Sequence, residues 1–269
     1  MKKGFYKSEY GDIFYEFSLA DEKPIIIFTH GIGMDHKTFE MQVEAIKSDY
    51  SVLIWDLPGH GSSTIKEQKE RFTKMSADCL NGLLNELGVH KAILVGQSLG
   101  SMIVQHFLIK HPSKVTATVH TPGIELRSHI GSWSKMFIPL MMGMFHLFPK
   151  NAFCRLFGRH RAENIEVQNY LSDSMRHTGK KLALQITKDM VYDLIDKHPK
   201  PMNKPLLITY GEKELFYIQE ASRKWHDHTP YSKCVKIKNA NHILNQDNPE
   251  EFNKVFIGFL EEIKKEKVS

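Results

Sequence analysis

The stretch AILVGQSLG, residues 92–100, joins an apolar strand-like segment to an apolar helix-like segment and decides the fold of this chain. A Gly-x-Ser-x-Gly turn in this setting lifts Ser98 onto a sharp elbow, with its hydroxyl exposed above the sheet. Gly96 and Gly100 suit the turn because the strand and helix backbones approach too closely there for a Cβ atom. A five-residue motif with only three fixed positions occurs often by chance, so the rest of the chain must show whether Ser98 is a nucleophile.

Length and composition are those of an ordinary globular protein. The chain has 269 residues, 41% of them hydrophobic and 25% charged, which suits one large α/β domain with an inserted subdomain. The net charge of +5 is modest and no long basic run exists, so we expect no nucleic-acid partner. The longest apolar run, Met136 to Leu147, is too short to cross a bilayer, so we expect no membrane span.

The cysteines and the N-terminus predict a cytoplasmic protein. Cys79, Cys154 and Cys234 are odd in number, far apart and surrounded by apolar residues. This pattern favours reduced core thiols over a disulfide framework. The chain opens with Lys2 and Lys3, two lysines of the kind that open a signal peptide, but no apolar segment follows them.

Strand-like and helix-like segments alternate along the chain, which is typical of a mostly parallel sheet covered by helices. Amphipathic spacing predicts one helix from Phe72 to Leu87, ending at Gly88, and a last helix that opens at Asn248-Pro249. Most of the predicted strands are continuous apolar runs, as expected for burial on both faces. Asp12–Leu19 instead alternates, as expected of an early antiparallel strand. The other predicted strands are Pro24–Thr29, Ser51–Trp55, Ala92–Val95, Val115–Val119, Pro205–Tyr210 and Cys234–Ile237.

One segment breaks this alternation. From about Ile124 to Lys200 the sequence contains no convincing strand, yet it is rich in apolar residues such as Trp133, Phe137 and Phe145. We therefore expect a helical cap, residues 124–200, inserted into a core domain formed by residues 1–123 and 201–269. Its methionine and phenylalanine side chains either line an apolar pocket or attach the cap to the core, and both alternatives stay open.

The cap also carries three neighbouring arginines, Arg155, Arg159 and Arg161. We predict that they lie on the outer face of the cap. The sequence then offers no arginine cluster for a highly anionic substrate.

A serine nucleophile needs a base to accept its proton and an acid to orient that base. In an α/β sheet with a serine elbow, the acid and then the histidine follow the serine, each in a loop at the carboxyl end of a strand. His242 lies directly after the last predicted strand and before the last helix. It is therefore the predicted general base.

Together these segments resemble the α/β-hydrolase superfamily over essentially the whole chain. The resemblance implies the α/β-hydrolase fold, a mostly parallel eight-stranded sheet flanked by helices, in its capped, serine-nucleophile branch. Serine rather than aspartate at position 98 argues against the epoxide-hydrolase and haloalkane-dehalogenase branches. The matching segments, in chain order, are His30–Gly33, Asp56–Ser63, Gly96–Gly100, Gly211–Glu214 and Asn241–His242.

The resemblance also implies a catalytic triad of Ser98, His242 and Glu214. The family pattern Gly-x-x-Asp places an aspartate where this chain has Glu214, which keeps the carboxylate and adds one methylene. Glu212 is next to this position, and Glu125 follows the preceding strand in a region that supplies the acid in some relatives. Both remain alternatives for the acid.

An oxyanion hole of backbone N–H groups is the second implied feature, since fixed donors need no reorganisation during the reaction. The resemblance points to the amides of Ile32 and Leu99. His30, Asp56 and His60 are expected to be structural: glycines tighten the loop that contains Asp56, and its carboxylate can accept hydrogen bonds from that loop.

The function implied is hydrolysis of a small apolar or aromatic carboxylic ester through an acyl-enzyme, with no cofactor or metal. The same triad serves carbon–carbon bond hydrolysis, lactone opening and elimination from a menaquinone precursor in capped relatives, because the fold does not fix the chemistry. A receptor or stress regulator that binds a ligand without turnover is a third alternative. We expect a small-molecule apolar substrate and a monomer or homodimer.

Overall fold

The computed structural model describes residues 1–20, 23–128 and 138–266. Within these ranges an eight-stranded sheet has the order β1-β2-β4-β3-β5-β6-β7-β8, numbered along the chain. The pairs β1–β2 and β2–β4 are antiparallel and every other neighbouring pair is parallel, as predicted for a mostly parallel sheet. The strands are β1 Lys2–Ser8, β2 Gly11–Ser18, β3 Ile25–Thr29, β4 Ser51–Trp55, β5 Ala92–Gly96, β6 Val115–His120, β7 Leu206–Gly211 and β8 Ser232–Ile237.

The seven strands that sequence patterning predicts are confirmed, and β1 is an addition to them. This edge strand pairs with β2 from Lys2 opposite Phe17 to Ser8 opposite Gly11. Its residues are mostly exposed and lysine-rich. An edge strand with one solvated side lacks the apolar run that identifies a buried strand, so periodicity alone does not reveal it.

Helices cover both faces of the sheet. Neighbouring residues of β3 point in opposite directions, so that Ile27 belongs to one core cluster while Ile26 and Phe28 belong to the other. Among helices in the described ranges, none has the length and apolarity needed to cross a membrane. Outside the segment between β6 and β7, the α-helices of the described residues are α1 Glu40–Ile46, α2 Phe72–Glu86, α3 Leu99–Lys110, α8 Phe216–Asp227, α9 Leu244–Asp247 and α10 Pro249–Glu266.

The described residues between β6 and β7 contain helices and loops but no strand, in agreement with the predicted lack of strands. Four α-helices lie in these described residues: α4 Ile138–Leu147, α5 Lys150–Arg159, α6 Ile165–Thr178 and α7 Lys180–Ile195. The predicted cap residues Trp133 and Phe137 lie outside the described residues. Asp193 of α7 fastens this segment to the core, since its carboxylate is 2.8 Å from Nη1 of Arg71 and 3.2 Å from Nε2 of His106.

Candidate active site

The turn between β5 and α3 holds Ser98 in an unusual backbone conformation, with φ 53° and ψ −112°. Such a conformation is costly for a residue with a side chain and persists only where the surroundings enforce it. A Cβ atom on Gly100 would lie 2.1 Å from the carbonyl oxygen of Thr29, and one on Gly96 would lie 2.4 Å from the carbonyl oxygen of Gly100. The expectation that both glycines permit close backbone approach is confirmed.

The structure brings the three predicted triad residues together. Nε2 of His242 is 2.9 Å from Oγ of Ser98, and Nδ1 of His242 is 2.6 Å from Oε2 of Glu214. An ionised carboxylate only accepts hydrogen bonds, so the imidazole proton lies on Nδ1 and donates to Glu214. The lone pair of Nε2 is then free to accept the hydroxyl proton of Ser98.

Glu214 is held in an ionised state at this site. Its side chain is only 1% exposed, and its Oε1 accepts a hydrogen bond of 2.8 Å from the backbone N–H of Leu215. Burial opposes ionisation, but the electrostatic interaction and the hydrogen bond with His242 outweigh it. Together with the Leu215 amide and the Arg161 guanidinium, they hold the pKa of Glu214 below its usual range.

The two alternative acids, Glu212 and Glu125, make contacts that differ from those of Glu214. Glu212 is exposed, and its carboxylate accepts a hydrogen bond of 3.1 Å from the backbone N–H of Asn239. Glu125 follows β6 and is 3.5 Å from Nη1 of Arg127. Since Nδ1 of His242 faces Glu214, the geometry favours Glu214 as its partner.

The predicted oxyanion loop lies against the serine. A Cβ atom on Gly31 would be 3.3 Å from Cβ of Ser98, which places the neighbouring Ile32 beside the nucleophile. Among the hydrogen bonds of the described residues, neither the N–H of Ile32 nor that of Leu99 has an acceptor. Two free backbone donors next to a serine hydroxyl are what a developing oxyanion requires.

A cavity of about 290 Å³ adjoins this site. Ile32 from the oxyanion loop and Met175 from α6 line it, and a Cβ atom on Gly33 would lie 2.2 Å from Cε of Met175. Of the two roles that the sequence leaves open, lining a pocket or attaching the cap to the core, several phenylalanines have the first. The phenylalanines in the lining are Phe145, Phe148, Phe153 and Phe157.

The prediction that all three arginines lie on the outer face of this helical segment is wrong for Arg161. Arg155 and Arg159 are exposed, whereas Arg161 is partly buried and lines the cavity. The physical reason is that α5 ends at Arg159, so Arg161 does not share the helical face of the other two.

A family model described as the alpha/beta hydrolase fold matches residues 24–249. The chain belongs to the α/β hydrolase fold family. It is 23% identical over 253 residues to (E)-2-((N-methylformamido)methylene)succinate hydrolase of Acinetobacter baylyi, covering 91% of this chain and 93% of that protein. It is 21% identical over 244 residues to 3-oxoadipate enol-lactonase 1 of the same organism, covering 90% of this chain and 91% of that protein.

Solved structures share the fold of this α/β hydrolase. A bromoperoxidase from Bacillus anthracis superimposes with a TM-score of 0.80 at 20% identity, covering 97% of this chain and 100% of that chain. At this identity the likeness concerns the fold alone. The family match and the curated relatives identify the chain as an α/β-hydrolase enzyme.

The α/β hydrolase contains a buried amide network beneath Ser98 that sequence reasoning did not find. Nε2 of Gln97 donates to Oδ1 of Asn245 at 2.7 Å. Nδ2 of Asn245 donates to the carbonyl oxygen of Thr38 at 2.8 Å and to Oε1 of Gln42 at 3.0 Å. This network joins the residue before the nucleophile to α9, the short helix after His242. No spacing signal could reveal it, since its members are far apart in sequence.

The residues expected to be structural do have structural contacts. Nε2 of His30 accepts a hydrogen bond of 3.0 Å from the backbone N–H of Leu57. Oδ2 of Asp56 accepts one of 2.8 Å from the backbone N–H of Ser62, in its own loop as predicted. His60 is fully buried, and burial lowers its pKa to about 3. Its Nδ1 donates a hydrogen bond of 3.1 Å to the carbonyl oxygen of Pro58 in the same loop.

No metal site accompanies these groups in the described ranges. They hold no set of three or more His, Cys, Asp or Glu side chains placed to bind a metal ion.

Proposed function

We propose that this α/β hydrolase cleaves a small carboxylic ester with an apolar or aromatic body, using Ser98, His242 and Glu214 and an acyl-enzyme intermediate. The observation that carries the proposal is the unbroken hydrogen-bond chain from Glu214 through His242 to Ser98. A serine hydroxyl is a weak nucleophile unless an oriented base stands ready to accept its proton. In this hydrogen-bond chain His242 is the base and Glu214 is the acid that orients it.

In the acylation step Oγ of Ser98 attacks the ester carbonyl while Nε2 of His242 accepts the hydroxyl proton. The imidazolium formed is stabilised by the negative charge of Glu214 at Nδ1. The N–H groups of Ile32 and Leu99 bind the oxyanion of the tetrahedral intermediate. When that intermediate collapses, His242 returns the proton to the leaving alcohol.

Deacylation repeats the sequence with water as the nucleophile, and His242 again serves as the base. In this proposal helices α4–α7 form a cap, residues 124–200, over the core made by residues 1–123 and 201–269. The phenylalanine-lined cavity between these parts supports an apolar or aromatic substrate body.

The proposal is tested by the variant Ser98→Ala. We expect it to abolish hydrolysis of short 4-nitrophenyl esters and labelling by a fluorophosphonate probe. Ser101→Ala is the matched control, because the Ser101 hydroxyl lies close by but contacts His120 instead of His242. Labelling that persists in Ser98→Ala and disappears in Ser101→Ala would overturn the assignment.

A second candidate function is lactone opening, which the similarity to an enol-lactonase favours. The same three residues would act, with the leaving alcohol remaining attached to the acyl group. Turnover of a panel of esters, lactones and diketones separates these reactions. Binding without turnover of any member, with Ser98 unlabelled, would instead support the non-catalytic receptor alternative.

A further inference from the structure

Arg161 connects the cavity to the loop that carries His242. Its carbonyl oxygen accepts a hydrogen bond of 3.0 Å from the backbone N–H of Ile243, the residue after His242. Its side chain lines the cavity that Ile32 also lines. A cation is therefore present in an otherwise largely apolar pocket beside the triad.

The guanidinium group has few partners. Its Cζ lies 3.9 Å above the ring centre of Phe157, and its Nη1 donates a hydrogen bond of 3.3 Å to the Phe157 carbonyl oxygen. No carboxylate oxygen of the described residues lies within ion-pair distance of it. Among the residues whose side chains the structure does not describe, residues 129–141 include no Asp or Glu, and the acidic ones are Asp21, Glu22 and Glu266.

Arg71 shows how this chain treats another partly buried arginine. Its Nη1 is 2.8 Å from Oδ1 of Asp193 and 2.6 Å from Oδ2 of Asp196. Two carboxylates thus compensate the charge of Arg71. Arg161 has a comparable position between helix and core but lacks such compensation among the described residues.

The charge of Arg161 is poorly solvated. Burial lowers its pKa to about 10, although the nearby Glu214 carboxylate opposes the change. The group is still a cation at neutral pH. Glu214 is not in ion-pair contact with the guanidinium, because the ion pairs of the described residues join Glu214 to His242 and not to Arg161. A desolvated cation with no carboxylate in contact is costly, and a ligand that brings a negative charge into contact reduces that cost.

We propose that Arg161 is a specificity residue that binds a carboxylate on the substrate, an inference that rests on the proposed hydrolase function. The substrate class is then an ester or lactone with a mainly apolar body and one free carboxylate. A guanidinium has five N–H donors in a planar fork that matches a carboxylate, and within the described part of the chain only one of the Arg161 donors has an acceptor. The Phe-lined remainder of the cavity accepts the apolar body.

The rival interpretation is that Arg161 only supports Glu214 or packs on Phe157. In that case its loss would affect charged and neutral substrates equally and would lower kcat. If Arg161 binds a substrate carboxylate, its loss raises KM for charged substrates and leaves neutral ones almost unchanged. The two roles therefore predict different kinetics.

The kinetic test compares monomethyl glutarate, adipate and pimelate with methyl pentanoate, hexanoate and heptanoate, by acid release at constant pH. For Arg161→Gln we expect kcat/KM for at least one monoester to fall about 10- to 100-fold, the worth of a charge-assisted hydrogen bond. The neutral ester of the same length should change less than about threefold, within the effect expected of a remote charge. Arg161→Lys should recover part of the loss, since it keeps the charge without the fork. Arg159→Gln is the control, because it removes the same charge from an exposed position.

A second measurement does not depend on turnover. Calorimetry of Ser98→Ala with glutarate, adipate and hexanoate should detect a dicarboxylate that binds more tightly than hexanoate, with the preference lost in Ser98→Ala/Arg161→Gln. Equal losses for charged and neutral esters, or dicarboxylate binding that is indifferent to Arg161, would overturn the proposal. If the wild-type protein hydrolyses no ester, the proposed function fails, and the calorimetric comparison still decides the role of Arg161.

Discussion

Replacing Glu214 by glutamine tests the assignment of the acid while preserving shape. The amide oxygen can still accept the Nδ1 hydrogen bond of His242, which is 2.6 Å long in the native site. What disappears is the negative charge that faces the imidazolium formed during attack. The variant therefore separates electrostatic stabilisation from simple orientation of the ring.

The expected magnitude follows from Coulomb's law. Unit charges about 4 Å apart at an effective dielectric constant of about 20 interact by about 4 kcal/mol. Lost from the transition state alone, this energy slows turnover about 1,000-fold. If the amide turns its NH₂ group toward Nδ1, His242 is held in the wrong tautomer and the loss approaches about 10,000-fold.

The assay is steady-state hydrolysis of a 4-nitrophenyl ester, with Glu212→Gln and Glu125→Gln as controls. We expect kcat of Glu214→Gln to fall about 1,000- to 10,000-fold with little change in KM, since the charge acts on the transition state. Both controls should keep kcat within about threefold of wild type, as expected for carboxylates outside the hydrogen-bonded chain from Glu214 to Ser98. A Glu214→Gln variant with near-native kcat, beside a Glu125→Gln variant that loses activity, would refute the assignment.

Three further predictions concern stability. Gly100→Ala should fail to fold or show a greatly lowered melting temperature, because its Cβ would lie 2.1 Å from the Thr29 carbonyl oxygen. The control Gly258→Ala has open space at that position and should melt at or above the wild-type temperature. Asn245→Leu should cost about 1–3 kcal/mol of the free energy of unfolding in urea, since it leaves buried amide partners unsatisfied; an unchanged midpoint would contradict the network. Asp193→Asn should destabilise the protein at pH 7. Burial opposes ionisation of Asp193, but its bonds to a histidine, a threonine and an arginine hold its pKa below the usual value. The stabilisation from this carboxylate is thus present above its unfolded pKa and lost as the pH falls through the lower folded value. The difference between the two proteins in urea unfolding should therefore shrink below about pH 4, and a difference that grows there would contradict the sign.

Local constraints made much of the fold and the order of the site residues predictable. The elbow at Ser98 needs glycines at fixed offsets, and buried parallel strands leave continuous apolar runs. Since loops at the carboxyl ends of parallel strands meet at one edge of the sheet, the position of His242 after the last strand was enough to predict its contact with Ser98. The carboxylate partner was harder, because Glu214, Glu212 and Glu125 all follow strands at that edge.

Other features depend on tertiary contacts that leave no local pattern. Gln97 and Asn245 are ordinary polar residues in the sequence, and only the folded chain brings their amides together. Arg161 was misplaced because it is grouped in sequence with Arg155 and Arg159, whose helix ends before Arg161. Past a helix end, helical periodicity no longer determines which way a side chain points.

Ser98 is proposed to be the nucleophile that becomes acylated, and locating the acyl group in the protein tests this proposal most directly. The wild-type protein is mixed with a 4-nitrophenyl ester, quenched in acid during the burst and digested, and the modified peptide is sequenced by mass spectrometry. We expect an acyl group on Ser98 that is absent from His242→Ala. An acyl group on another residue, with Ser98 unmodified, would contradict it.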